Sequence, residues 1–588
     1  MLTKASLSRP PRTTQHRPSA RRIWWFAMVL VGGISWLLPG AALAHDPTSS
    51  STKDHKHTDL AKQALKDDPN DKVKFRKETF WSLSSGDKQR IKKANQLLMR
   101  WRADEAEKLL KPLLKRKNLP SRTVFVIAKM RYFQGKYKEA IKLYESAAPA
   151  SYLRKMSIYA SVKNTYKITK KYKQRISPHF IITYPPGASR VLVRYAVKAL
   201  EKAYKRLGKI YGYYPPDRVR VEFLYEAMEL ADMSPLTQGD IMRTGTIALC
   251  KYNRLMITSP RALVRGYRWL DTLIHEYTHL VINRITTGIP IWLHEGLARY
   301  TEILWRSQTP SPLSPYSQSL LATAVKKDTL IAFARMHPSM AKLPSAKDSA
   351  LAYAQVYTLV RYFAKRKGRN SLAKVLKLVY SGKTVPQAFE TILGIPFKTF
   401  LEQWKTHLRN SKLKIYKGLM PTKKIIKGMR QQQKKKVRRK SLWHRPKSPQ
   451  ALGARYLRLA EMLRAKGRWK GALLEYLKAA KYWKNHHPRL QNKIALAHMV
   501  LRQYKKGLPH LLSSLTLYPD HVTTYVYLGR IYFMMKDYKK ARKAFEEATQ
   551  INPFHPQVHR YLSYVYQKLG LKKLAKLESE AFRIVSSE

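Results

Sequence analysis

The order of patterns along this 588-residue chain predicts an α+β domain flanked on both sides by all-α helical-repeat segments. Three observations carry that prediction. Small and aromatic residues recur at a 34-residue step towards both ends, and strand-like alternation is confined to a central stretch. That stretch gives way to an apolar helix carrying His275-Glu276-Tyr277-Thr278-His279. The length excludes a single core, and 44% hydrophobic with 11% aromatic residues excludes wholesale disorder.

Residues 1–44 read as an export signal: a basic stretch ending in Arg21-Arg22, an apolar run from Ile23 to Leu38, Pro39, and the small-residue site Ala42-Leu43-Ala44. Cleavage after Ala44 is expected. The competing reading is an uncleaved anchor, but Gly32-Gly33 interrupts the run, which falls short of the roughly 20 residues a span needs. Arg21-Arg22 leaves both the general and the twin-arginine export routes open. The expected location is the periplasm or cell envelope, or outside the cell, with no stable transmembrane anchor once the signal is removed. Cys250 is the single cysteine, which excludes an intrachain disulfide and any multi-cysteine metal site. Its apolar surroundings mark it as a buried small hydrophobe rather than a nucleophile.

Residues 45–86, broken by Ser49 to Thr52 and Asp67-Asp68-Pro69-Asn70-Asp71, read as a flexible polar leader in which His45, His55 and His57 are solvated. Residues 87–174 hold a pair of helical repeats, with Ala106, Leu110 and Ala128 followed by Ala140, Tyr144 and Ala147. Residues 175–408 form the α+β domain. Phe180 to Tyr184 and Val219 to Leu224 alternate as strands around a helix from Ser189 to Tyr211, and Thr246 to Leu249 with Leu255 to Thr258 form a hairpin about Lys251-Tyr252-Asn253. Residues 409–450 form a basic linker, where Lys434-Lys435-Lys436 and Arg438-Arg439-Lys440 serve as a polyanion tether or as a solvated spacer.

Residues 451–588 repeat most clearly. Tyr525, Leu528, Gly529, Tyr532, Ala541, Phe545, Ala548 and Pro553 occupy the eight signature offsets of a tetratricopeptide repeat. Ile494, Ala495, Gly507, Leu511 and Pro519 stand in register one step earlier, and Leu562, Tyr566 and Ala575 one step later. Such repeats present surfaces to protein partners.

Charge is the second unusual feature: 114 Lys and Arg against 37 Asp and Glu give a formal +77. This field attracts polyanions such as anionic envelope polymers, although its spread through every segment also fits a general lysine-rich composition. No specific nucleic-acid partner is predicted.

In the central helix, His275 and His279 stand one turn apart on one face with Glu276 between them, the spacing of a zinc site carrying an adjacent general base. The apolar flanks Leu273-Ile274 and Leu280-Val281-Ile282 bury that helix. A third ligand is needed, and Pro290-Ile291-Trp292-Leu293-His294-Glu295-Gly296-Leu297-Ala298 supplies Glu295 as the preferred one. His294, about 100° round the helix, is the rival. Gly296 and Ala298 are expected to let this helix approach the motif helix closely. Asn283 is a candidate to orient a ligand. Arg299 stands one turn after Glu295, where a carboxylate would suit a metal-bound histidine better.

H-E-x-x-H followed by W-L-x-E-G-L-A resembles the gluzincin clan of zinc metallopeptidases, and more narrowly the bacterial peptidase MA-like proteins that carry tetratricopeptide repeats. The resemblance spans roughly His179 to Leu408. It implies one catalytic zinc held by His275, His279 and Glu295, with Glu276 as general base. It also implies that the strand from Thr246 to Leu249 aligns an extended peptide, and that Tyr353 or Tyr357 stabilises the tetrahedral intermediate. Two other readings stand beside it: an envelope scaffold in which the repeats act and the metal domain is vestigial, and a polyanion-binding envelope protein.

Overall fold

The computed structural model describes residues 83–587 except 117, 338, 341–342, 417–418, 420–447 and 484–486. The export signal, most of the polar leader and the basic core of the linker lie outside the described residues. No helix among the described residues is long and apolar enough to cross a membrane.

Among the described residues six helices precede the first strand: α1 (Ser85–Met99), α2 (Ala103–Leu114), α3 (Ser121–Phe133), α4 (Tyr137–Ala147), α5 (Ala150–Arg154) and α6 (Ser157–Thr169). Ala106, Ala128 and Ala140 are fully buried between them. Small side chains at these crossings let the helix pairs approach closely enough for Tyr144 to fill the remaining gap.

The sheet follows, with β1 (Lys173–Ile176), β2 (Phe180–Tyr184), α7 (Arg190–Tyr211), β3 (Val219–Leu224), α8 (Glu229–Asp232), α9 (Gln238–Thr244), β4 (Ala248–Lys251) and β5 (Arg254–Thr258). Its order is β1-β2-β3-β5-β4. The inner pairs β2/β3 and β3/β5 are parallel, and the outer pairs β1/β2 and β4/β5 are antiparallel. The hairpin turns on Tyr252 and Asn253, both left-handed at φ 55° and 61°, the conformation a two-residue turn between twisted strands requires. The register places the first hairpin strand at Ala248–Lys251, two residues later than its alternation suggests.

Helices α10 (Trp269–Ile285), α11 (Ile291–Thr301), α12 (Pro315–Lys326), α13 (Ala346–Lys367), α14 (Ser371–Tyr380), α15 (Val385–Leu393) and α16 (Phe397–Asn410) complete the central domain. Its core joins sheet and helices through Phe180, Phe223, Trp269, Tyr277 and Phe363. Gly296 is a correction to the sequence reading. Its close neighbour is α13, where an added Cβ would stand 2.9 Å from the Val356 carbonyl oxygen, rather than the motif helix α10.

Among the described residues eight further helices pack as four successive pairs: α17 (Pro449–Ala465) with α18 (Trp469–Tyr482), α19 (Pro488–Val500) with α20 (Tyr504–Leu517), α21 (Val522–Met534) with α22 (Tyr538–Ile551), and α23 (Pro556–Lys568) with α24 (Lys572–Ser586). In the third pair a Cβ on Gly529 would meet the Phe545 ring at 2.6 Å, so glycine is what lets the two helices cross there.

A buried ion pair ties the N-terminal helices to the sheet. Arg254 Nε stands 3.1 Å from Glu222 Oε2 with both side chains almost wholly buried, and Arg254 also donates to the Tyr132 hydroxyl at 2.8 Å and to Thr165 Oγ1 at 2.9 Å. A charge pair so enclosed is tolerable because hydroxyls and the Met233 carbonyl accept further hydrogen bonds from the guanidinium.

Candidate metal centre

Helix α10 runs through the core with Leu273, Ile274, Tyr277, Leu280 and Val281 buried, and turns His275 and His279 towards α11. The turn after α10 ends at Pro290, which caps α11 with extended backbone and brings Glu295 opposite the two histidines. Thr278 Oγ1 and Thr301 Oγ1, 3.1 Å apart, link the two helices directly behind this face.

The three side chains named as ligands come together. His275 Nε2 stands 3.2 Å from Glu295 Oε2, and His279 Nε2 stands 3.6 Å from the same oxygen. Ligands held tetrahedrally about 2.1 Å from an ion stand about 3.4 Å from one another, so the spacing fits a zinc ion among them. Among the described residues this is the one group of His, Cys, Asp and Glu side chains compact enough to hold a metal.

The other ring nitrogens turn outward to partners of their own. His275 Nδ1 lies 3.3 Å from Glu302 Oε2, and His279 Nδ1 lies 2.6 Å from His294 Nδ1. A partner on Nδ1 fixes the tautomer that leaves the Nε2 lone pair free for a metal. Glu302 also pairs with Arg299. The carboxylate missing one turn after Glu295 is therefore supplied two turns after it, with Arg299 holding it in place. His294, the rival third ligand, lies behind His279. Burial, with His279 alongside, drives its ring down to about 3, so it stays neutral and can accept from His279 Nδ1–H.

The two carboxylates are pushed apart. Glu276 is buried, and that burial raises its pKa above the ordinary value against the lowering pull of His279 and His275. The Cys250 backbone, on the edge strand β4, adds a smaller lowering influence. Burial pushes Glu295 up as well, but His279 and His275, by charge and hydrogen bond, hold it well below the usual carboxylate range. Two carboxyls so separated suit a proton carrier and a permanently ionised ligand.

The two tyrosines on α13 separate clearly. The charge of Glu295, then burial, then the charge of Glu276 raise the Tyr353 phenol well above its ordinary value, and the residue is 37% exposed. Tyr357 is a correction: it is 1% exposed and its hydroxyl donates to the Ser311 carbonyl, so it is committed to packing. Asn283 is a second correction. Its amide donates to the Met99 carbonyl at 3.3 Å and orients no ligand. Cys250 is buried, with its thiol pushed up chiefly by that burial.

Residues 202–410 match the Peptidase MA superfamily, and residues 486–553 match the tetratricopeptide repeat. The chain carries a Peptidase MA superfamily domain followed by a tetratricopeptide-repeat segment. No curated protein matches it. Solved structures similar to part of it include MamA, at 18% identity over 23% of this chain and 79% of that one, with a TM-score of 0.22. MamA from Desulfovibrio magneticus RS-1 is similar at 19% identity over 23% and 77%, with a TM-score of 0.22. The first tetratricopeptide repeat of Spaghetti (RPAP3), bound to an HSP90 peptide, is similar at 17% identity over 20% and 96%, with a TM-score of 0.20. Nothing about function follows from these partial likenesses.

Proposed function

We propose that this chain is an exported zinc-dependent endopeptidase whose tetratricopeptide repeats engage substrate or partner proteins. The observation that carries the reading is the convergence of His275 Nε2 and His279 Nε2 on one Glu295 oxygen at 3.2 and 3.6 Å, with both Nδ1 atoms held from behind. Export rests on the sequence from Arg21 to Ala44.

Zinc, when bound, supplies Lewis acidity that acidifies water and polarises a carbonyl. The chain's own residues supply the rest. Glu276, buried beside the ligands with a raised pKa, takes a proton at its carboxylate and returns it to the leaving amine. β4 is an edge strand of the sheet, and its free edge can pair an extended peptide. Tyr353, whose phenol is raised chiefly by the charge of Glu295, is the residue we assign to donate its phenolic hydrogen to developing negative charge on the substrate carbonyl.

Metal analysis tests the ligand set. The purified chain should carry about one zinc, and Glu295→Ala or His279→Ala should lose it while His294→Asn retains it. Stoichiometric zinc in Glu295→Ala would overturn the assignment.

A further inference from the structure

The two repeat-bearing segments grip the two ends of α10. At its start, the Tyr267 N–H donates to the Ile551 carbonyl at 3.0 Å, and the Trp269 indole donates to the Thr549 carbonyl at 3.2 Å. Both acceptors belong to the last turn of α22, whose carbonyls have no partner within their own helix. Gly266 has φ +68°, and a Cβ there would come 2.2 Å from Ile551 O, so only glycine allows this approach. Between them Arg268 reaches Asp520 Oδ1 at 2.6 Å, Glu547 Oε2 at 2.8 Å and the Pro519 carbonyl at 3.2 Å.

At the other end, Arg100 follows α1 and donates to the carbonyls of Arg284 at 3.0 Å and Ile285 at 2.9 Å. A guanidinium there satisfies orphan carbonyls and suits the negative end of the helix dipole. Arg284 is itself fixed to Asp217 at 2.7 and 2.8 Å and to Asn253 at 2.7 Å. His275 lies six residues from the first clamp, and His279 five residues from the second.

We propose that the two repeat segments act as a splint on the motif helix, with Arg268 and Arg100 as positioning residues that hold His275, Glu276 and His279 in register with Glu295. The repeats are then part of the hydrolytic unit rather than appended recruiting arms. The metal readouts of this inference rest on the zinc reading above; its exchange readout does not.

The test uses the full chain. Arg268→Ala and Arg100→Ala should each speed amide hydrogen exchange across 270–285 and weaken zinc affinity, measured by chelator competition, by about tenfold or more. The absorption bands of the cobalt-substituted protein should shift, and kcat should fall with KM little changed. Arg268→Lys should restore most of these losses. Arg190→Ala, which removes a rim contact to Glu580 at 3.8 Å, should change none of them. Should Arg268→Ala not fold, Asp520→Asn and Glu547→Gln each loosen the same clamp more gently and should move the same readouts in the same direction. Faster exchange in 519–551 with unchanged exchange in 270–285, unchanged zinc affinity and an unchanged cobalt spectrum would overturn the splint. A wild-type chain that binds no metal would instead remove the zinc reading, and exchange in 270–285 would still decide the inference.

Discussion

Replacing Gly296 with alanine separates two effects that usually travel together. Alanine favours a helix interior by about 1 kcal/mol over glycine. Its Cβ, however, would stand 2.8 Å from Val360 Cγ2 and 2.9 Å from the Val356 carbonyl oxygen. Ordinary contact needs roughly 0.5 Å more, and while the valine side chain can turn, the α13 backbone cannot. Overpacking of this kind costs about 1–3 kcal/mol, so the net change in global stability is small, between zero and about 2 kcal/mol of loss. The metal centre has no such offset. Glu295 is the adjacent residue, and its oxygen must keep its 3.2 and 3.6 Å relation to His275 and His279, whereas zinc tolerates ligand distances only within about 0.2 Å. Gly296→Ala should therefore lower zinc affinity by about tenfold or more in chelator competition, with a melting temperature of the metal-free protein within a few degrees of wild type. Wild-type zinc affinity in a folded Gly296→Ala protein would refute the claim that the α11–α13 contact sets the ligand position.

Two further predictions address α13 and the C-terminal repeats. Tyr353→Phe should lower kcat about tenfold to a hundredfold with KM little changed, whereas Tyr357→Phe should leave kcat intact and cost about 1 kcal/mol of stability; the reverse pattern in steady-state kinetics would exchange their roles. His521, buried and then opposed by Arg265 and Arg489, is held down to about 4 against an ordinary 6.5. Its unfolded form takes up a proton first as pH falls through that window, so the stability it contributes is complete above the ordinary value and is lost progressively, by up to about 3 kcal/mol, on acidification towards 4. His521→Gln should flatten the fall in melting temperature between about pH 7 and about pH 4.5, and an unchanged slope would count against it.

What could be read from the chain followed how local the signal was. The motif helix was legible because His275, Glu276 and His279 lie within one turn inside an apolar run. The hairpin was legible because Tyr252-Asn253 interrupts two alternating stretches, and the C-terminal repeat because all eight signature positions recur between Tyr525 and Pro553. Strand β1 was hidden, since Lys173-Gln174-Arg175-Ile176 is exposed throughout and shows no apolar alternation. Glu302 was not legible because it stands seven residues after Glu295, two turns on, and the intervening turn carries Arg299 instead of a carboxylate. That spacing on one helix face is the signal that would have found it. Gly296 was assigned to the wrong neighbour because glycine spacing announces a close approach without naming the partner. The clamps at Gly266 to Trp269 and at Arg100 join residues about 280 and 185 positions apart, and nothing in local pattern encodes such pairs.

The claim that this site hydrolyses peptides through Glu276 is tested most directly by proteomic cleavage profiling of the wild-type chain beside Glu276→Gln, each with its metal content measured. The account predicts wild-type cleavage, and a variant that keeps its zinc and cuts nothing. Undiminished cleavage by the metal-loaded Glu276→Gln protein would contradict it.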